Sequence, residues 1–493
     1  MNETNRKNEF GIKYLCLIIA LAMIAVTSLC SCANAATEQK EKENENDGGA
    51  KTAEPMATAI ADSLPEMDFG GYEFTIHVRD QMPHKTDLVS EGENGELIND
   101  AVYYRYRTIE ERFGMVFDID DSGDVNATKA QNTIKSGDDE YDLLALHGST
   151  ASIFSQSNLI LNLYDNISYI DLDAPWWAAD IIHNLSAFGR LYSLAGDISH
   201  MGLAGTGCLL FNKNLFNDLG IEYPYAAALS GEWTLDRFFS IVTANYADLN
   251  GDGLMKMEDD MFGLEIRHDW CFPIALLYCG GDRSVTMDEN GVPTLSAYNE
   301  RTVDIYNKFF DMMGKGATYM HKWDIVGNFP TVTAFRDGRA LFYTTYLQDV
   351  INHRDLEYEI GILPIPKYSE STPKYYTNVD AGQNVFSIPV TVADVERTNI
   401  IIEALAVEGY RSVMPKFYEV ALKTKHASDE ESAVMIDLIK EGRVYDFGYF
   451  NHSIVGELAF VGQRLVNMRE PNFTSFYEKN APSAQKNLDK LEK

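Results

Sequence analysis

Apolar and polar positions alternate with a period of two over "YEFTIHV" (72–78), which predicts a strand with one face turned inward. The next stretch, "ELINDAVYYRYRTIEERFG", places Ile98, Val102, Ile109 and Phe113 roughly on one helical face. "MVFDID" (115–120) and "YDLLALHG" (141–148) then predict further strands. Strands interleaved with helices imply an α/β body with a mostly parallel sheet. A second series of the same kind begins near "GRLYSLAGDIS" (189–199) and "GCLLFNKNLFNDLG" (207–220).

In "WTLDRFFSIVTANYA", Leu235, Phe238, Phe239 and Val242 recur at i, i+3, i+4 and i+7, with Thr234 placed to cap the helix. This helix runs into "DLNGDGLMKMED" (248–259), where Asp248, Asn250, Asp252 and Asp259 supply side-chain oxygens at the first, third, fifth and twelfth positions of an EF-hand-like loop. Gly253 fills the sharp-turn position and Leu254 offers a backbone carbonyl. The run after the loop, "MFGLEI", reads as a strand, and no second loop pairs with this one, so the expectation is a structural Ca2+ and not a sensor. Asp259 in place of Glu, and Lys256 at the ninth position, weaken such a site. "MDENGVPTLS" predicts two short strands turning at Asn290 and Gly291. "GRALFYTTYL", "YEIGILPIPK" and "NVFSIPVTV" are β-rich, and a mainly helical tail comes after them, in which Ser428 and Glu431 form a capping box.

Composition narrows the function classes. A net charge of -33 disfavours nucleic acid, because binding to phosphates needs clustered cations. It disfavours an anionic lipid surface for the same reason. At the N-terminus an apolar run comes after Arg6, Lys7 and Lys13 and reads as a signal peptide, an uncleaved membrane anchor being the alternative. "LCSC" (29–32) resembles the bacterial lipobox, in which Cys32 would carry the lipid after cleavage. The segment 32–63 is polar and poor in large apolar side chains, and reads as a flexible tether. Beyond it only Cys208, Cys271 and Cys279 remain, an odd count that rules out a complete disulfide framework; Cys271 could pair with Cys279, and buried free thiols are the simpler reading.

The order of "GRLYSLAGDIS", "LLFNKNLFNDLGIEYPY", "GEWTLDRFFSIV", "FRDGRALFYTTYL", "YEIGILPIPK" and the helical tail resembles the bacterial extracellular solute-binding proteins of the maltose-binding-protein type, partners of ABC importers. "DAPWWAADI" and "YEVALKTKHASDEESAVMIDLIKEGRVYDFGY" are similar to a lipoprotein branch of that family. The resemblance implies an α/β, two-lobed periplasmic-binding-protein-like fold of type II, its lobes joined by crossing hinge strands. Lobe one would be 64–199 plus 338–392, and lobe two 200–337 plus 393–493. It also implies a monomer that closes on a mono- or oligosaccharide and delivers it to ABC permease subunits, with no required cofactor.

Recognition of a sugar in a cleft needs aromatic faces and a few polar groups. Trp176 and Trp177, adjacent indoles after a proline, are candidates, as are Tyr346, where the family carries cleft aromatics, Trp270 in "RHDWCFP", and Asp197 at an expected crossing. His147 and Ser149 fall just after a strand, where open α/β sheets place ligands. For each, the plainer reading is a packing or loop residue. No H-E-x-x-H, G-x-S-x-G or P-loop pattern is present, and "GLAGTG" (202–207) lacks dinucleotide-loop spacing and reads as a loop near the hinge. A lipid-anchored carbohydrate-active enzyme, or a sensor feeding a membrane receptor, are the competing functions.

Overall fold

The computed structural model describes residues 60–492 except 328, 329, 332, 354, 423–429, 469 and 470. Its strands in chain order are Tyr72–Arg79 (β1), Met115–Gly123 (β2), Leu143–His147 (β3), Gly207–Asn212 (β4), Phe262–Ile266 (β5), Val285–Met287 (β6), Pro293–Leu295 (β7), Thr318–Met320 (β8), Ala340–Tyr346 (β9), Ile360–Pro364 (β10), Thr377–Asn378 (β11), Asn384–Ser387 (β12) and Arg443–Val444 (β13). Two sheets carry the architecture, in the orders β12-β3-β1-β2 and β10-β4-β9-β5-β8. Within the first, β1 runs parallel to β2 and β3, and only the late strand β12 is antiparallel.

The first sheet forms because β1 buries Phe74, Ile76 and Val78 against the helix Leu97–Phe113, which contributes Val102, Tyr106, Ile109 and Phe113 to the same core. Each such large apolar side chain, fully buried, is worth about 1.5–3 kcal/mol. Gly114 ends that helix at φ 58°, a left-handed turn suited to glycine, and its amide donates back to the Glu110 carbonyl. In the second sheet β4, β5, β9 and β10 are buried at every position, so their sequences are continuous apolar runs and not alternating ones. Thr234 accepts from the Arg237 amide as the expected cap, and the hairpin β6–β7 turns at Gly291, whose φ is 73°.

Three stretches cross between the sheets. Residues 198–206 lead out of the first lobe and 379–384 lead back; the Asp380 amide donates to the Gly205 carbonyl at 3.0 Å, and Thr206 bridges Val379. Asp87 ties both together, accepting from Ser199 Oγ, from the Met201 amide at 3.2 Å and from Asn384 Nδ2 at 3.2 Å, and pairing with His200 Nδ1 at 3.0 Å. Burial opposes its ionisation, but His200 and these donors hold the Asp87 carboxyl below the usual range. The third crossing is helical. Val395–Glu408 buries Ile400, Ile401 and Leu405 in the first core, and a π turn at Gly409–Val413 leads on to Met414 and Phe417, which pack with Leu210, Tyr343 and Ile362 of the second sheet.

The expected lobe limits therefore change. Strands β9 and β10, placed in lobe one by the range 338–392, lie on either side of β4 in the second sheet, pairing Gly207 with Tyr346 and Asn212 with Ile360. Only β12 returns to the first sheet, and the helix after it, expected in lobe two, packs on the first. The tether also ends earlier than residue 63: Asp62 pairs with Arg112 at 2.8 Å and Arg411 at 3.1 Å, and Arg411 donates to the Ile60 carbonyl. Cys32, the leader and Ser428 of the expected capping box lie outside the described residues. Cys208, Cys271 and Cys279 are free buried thiols.

Candidate functional site

In both sheets the carboxyl ends of parallel strands open on one cavity of about 970 Å³. β1 delivers Arg79, β3 delivers His147, β5 leads at once into Arg267 and His268, and β9 ends on Tyr346, all of which line it. The crossing segments supply the back wall through Met201, Gly205, Gly382 and Gln383. This is where α/β sheets leave room for a ligand, since the strand-to-helix loops diverge there.

Aromatic faces lie mainly on the second-lobe side. Trp270, half-buried, packs edge-on to Phe460 at 5.0 Å and carries the Arg464 guanidinium 5.5 Å above its ring. The Tyr346 hydroxyl donates to the Trp270 carbonyl at 3.2 Å, and Arg267 lies 5.0 Å from the Tyr346 ring while pairing with Asp349 at 3.2 Å. Tyr449 and the exposed Trp323 complete this wall.

Burial pushes His84, His147 and His268 down to about 3, so all three are neutral at neutral pH. His147 Nδ1 accepts from the Ser149 amide at 3.1 Å, and His268 Nδ1 accepts from the Trp270 amide at 3.3 Å. Accepting at Nδ1 assigns the proton of each ring to Nε2, which makes both imidazoles N–H donors suited to hydroxyl groups. Arg79 is 1% exposed and donates to the Gly382 carbonyl, while its Nε and Nη1 have no hydrogen-bond partner among the described residues. Burial lowers it to about 10, with Asp380 and Asp87 opposing, so it remains a cation at neutral pH.

Of the residues singled out from sequence, His147, Tyr346 and Trp270 line the cavity, and Ser149 sits behind His147, orienting its ring. Trp176 and Trp177 do not line it. They are 4% and 5% exposed, and their indole N–H groups donate to the two carboxylate oxygens of Glu403 at 2.8 and 2.9 Å, anchoring the loop to the helix Val395–Glu408. Asp197 is also buried away from the cavity, and burial raises its carboxyl. Sequence reading missed Arg79, His84, Arg267, His268 and Asp349. For Arg79 and the Arg267-His268 pair a signal existed, since each directly succeeds a predicted strand; Tyr449 and Phe460, from the helical tail, had none.

The loop 248–259 lies elsewhere, exposed over most of its length. Asp248 accepts from the Gly251 and Gly253 amides, both at 2.7 Å, and Asp252 is paired with Lys256. Its closure depends on the next residue, Asp260, fully buried and accepting from the Leu249 amide at 2.9 Å and the Lys256 amide at 2.7 Å. Among the described residues no three His, Cys, Asp or Glu side chains are grouped as a metal site; the expected calcium ligands also include Asn250 and the Leu254 carbonyl.

No protein-family model matches the sequence, and no curated protein matches it. Among solved structures the fold is that of ABC-transporter solute-binding proteins. One from Thermotoga lettingae, bound with α-D-tagatose, is 15% identical with a TM-score of 0.52, over 85% of this chain and 100% of that one. A substrate-binding protein from Listeria monocytogenes in complex with cycloalternan is 12% identical with a TM-score of 0.51, over 85% and 99%. UgpB from Mycobacterium tuberculosis, in complex with glycerophosphocholine, is 15% identical with a TM-score of 0.52, over 86% and 99%. The two-lobed α/β architecture expected from sequence is thus the architecture of this chain.

Proposed function

We propose that this protein is the extracellular solute-binding component of an ABC importer, capturing a carbohydrate-like solute between its lobes and handing it to membrane permease subunits. The observation that carries this reading is the cavity walled by strand ends of both sheets and backed by three crossing segments. Such a site can be closed by a hinge motion, and a ligand that touches both lobes favours the closed state by its differential affinity. Aromatic faces at Trp270 and Tyr346 suit the apolar faces of a sugar ring, and the neutral His147 and His268 suit its hydroxyls.

The enzyme alternative calls for two carboxyl groups flanking a glycosidic bond. Of the three carboxylates that line the cavity, Asp349 is engaged by Arg267, Thr345 and Asn352, while Asp380 accepts from the Gly382 amide and Glu96 lies at the start of the helix Leu97–Phe113. Among the described residues no helix is long and apolar enough to cross a membrane. Attachment through a lipid on Cys32 rests on the lipobox-like "LCSC" (29–32), which lies outside those residues.

Isothermal titration against mono- and oligosaccharides, with chromatography of the same mixtures, tests the function. The expected result is one-to-one binding with the sugar recovered intact; product formation would sink the carrier reading. A Cys32→Ser variant released from the membrane fraction supports the anchor, and one retained there refutes it.

A further inference from the structure

Among the described residues, the buried guanidinium groups around the cleft differ in how many hydrogen bonds they donate. Arg105 donates to the carbonyls of Ile198 at 2.8 Å and Asp87 at 2.7 Å, and Arg267 pairs with Asp349. Arg79, as buried as these, has one donated hydrogen bond, to Gly382, and no ion pair among the described residues. Its Nε and Nη1 are without partners although it lines the cavity wall. Beside it on the same wall stands His84, whose Nδ1 is likewise unpartnered and which feels the Arg79 charge. An unpaired buried cation is costly, because the water removed from it is not replaced by other dipoles or charges.

The lobe geometry adds a reason for its position. Arg79 ends β1 in the first sheet and bonds the returning segment 379–384, so it lies at the hinge end of the cleft, where a ligand group meets both crossing stretches. A guanidinium presents a planar fork that matches a carboxylate or phosphate, with two parallel N–H donors. Asp380 and Asp87 lie near enough to oppose its loss of charge. However, Asp380 accepts from the Gly382 amide at 2.6 Å, and Asp87 is taken up by His200, Ser199, Met201 and Asn384.

We infer that Arg79, with His84 beside it, forms an anion subsite at the hinge end of the cleft, so that the solute is an acidic carbohydrate bearing a carboxylate or a phosphate ester. The inference rests on the solute-binding reading above and names the class of solute. The aromatic wall at Trp270 and Tyr346 takes the ring, and Arg79 takes the charge.

Titration of the purified protein with glucose, galactose and maltotriose, and with glucuronate, galacturonate and glucose 6-phosphate, tests it. The expected result is that an acidic sugar binds at least about tenfold more tightly than its neutral parent, the uronate and phosphate arms telling the two anions apart. Arg79→Gln should weaken that acidic sugar by about a hundredfold, as loss of one partner of a buried charge pair does, and by at least about tenfold more than it weakens the neutral parent. Neutral sugars binding as well as acidic ones would overturn the subsite and leave the carrier reading standing. Failure of every sugar to bind would count against both. As a second measurement, Arg79→Met should not lower the Tm of ligand-free protein, because it removes a buried charge that has no ion pair among the described residues. A lowered Tm with the preference for acid intact would assign Arg79 a packing role and end the proposal.

Discussion

A Cβ on Gly409 would stand 2.0 Å from the carbonyl oxygen of Asp197, so the helical crossing touches, backbone to backbone, the residue that leads into the outgoing one. Gly409 has an ordinary helical φ of −58°, and the constraint is therefore one of space and not of conformation. Gly409→Ala is expected to destabilise the protein by about 1–3 kcal/mol, as overpacking does, and to change solute affinity because the hinge must shift to admit it. Denaturant titration together with calorimetric binding measures both; a variant identical to the parent in both would show that the two crossings are free to separate.

The Glu403 carboxyl, raised to about 7 by burial and only partly held down by Trp177 and Trp176, gives the first lobe a pH dependence. Because the folded-state value lies above that of an exposed Glu, the folded protein holds the proton longer than the unfolded chain. This group's contribution to stability therefore falls as pH rises from about 4.5 to about 7, and is level outside that window. Glu403→Gln should flatten the Tm profile across this range. It should also lower Tm overall, since an amide offers one oxygen to two indole N–H groups, at a cost of about 1–3 kcal/mol.

Trp270 and Trp176 should separate binding from stability. Trp270→Ala is expected to weaken solute binding by about 1–3 kcal/mol, in the range of aromatic anchors at binding sites. Trp176→Phe should leave affinity unchanged while destabilising the fold by about 1–3 kcal/mol through the Glu403 oxygen it leaves unsatisfied. If calorimetry and thermal melts gave the reverse pattern, the cavity between the sheets would not be the binding site.

Asp260 and Asp259 make opposite predictions in the acidic loop. With a chelator present, Asp260→Ala should cost about 1–3 kcal/mol, because the buried carboxylate that accepts from the Leu249 and Lys256 amides is lost. Asp259→Ala, on the exposed rim, should stay within about 0.5 kcal/mol. Repeating both melts with calcium tests the metal directly: a calcium-dependent rise in Tm that Asp259→Ala abolishes would assign a bound cation, and identical melts would remove it.

Much of the local structure was legible in the chain. The strand β1, although buried on both faces from Ile76 to Arg79, the face made by Val102, Ile109 and Phe113, the cap at Thr234 and the turn at Gly291 all appear where the residue pattern puts them. Each depends on side chains a few positions apart, whose periodicity or turn preference is written in the sequence itself. The site was legible in part. His147, Tyr346 and Trp270 stand at or just beyond strand ends and reach the cavity, and the same rule applied to Arg79 and Arg267 would have found them too. Adjacent tryptophans suggested a sugar platform, but the acid that claims both indoles lies more than two hundred residues away on another helix.

By itself, then, the sequence determined an α/β chain of strands and helices in the right order, because those elements are chosen by local periodicity and capping. Only the tertiary structure decided that β9 and β10 flank β4 in the second sheet, that Trp176 and Trp177 face Glu403, and that Arg79 reaches the cleft with its Nε and Nη1 unpartnered among the described residues. These are pairings between distant segments, and a buried apolar strand reads the same whichever sheet it joins. The surroundings of a side chain at the end of such a strand are set by the segments that cross there.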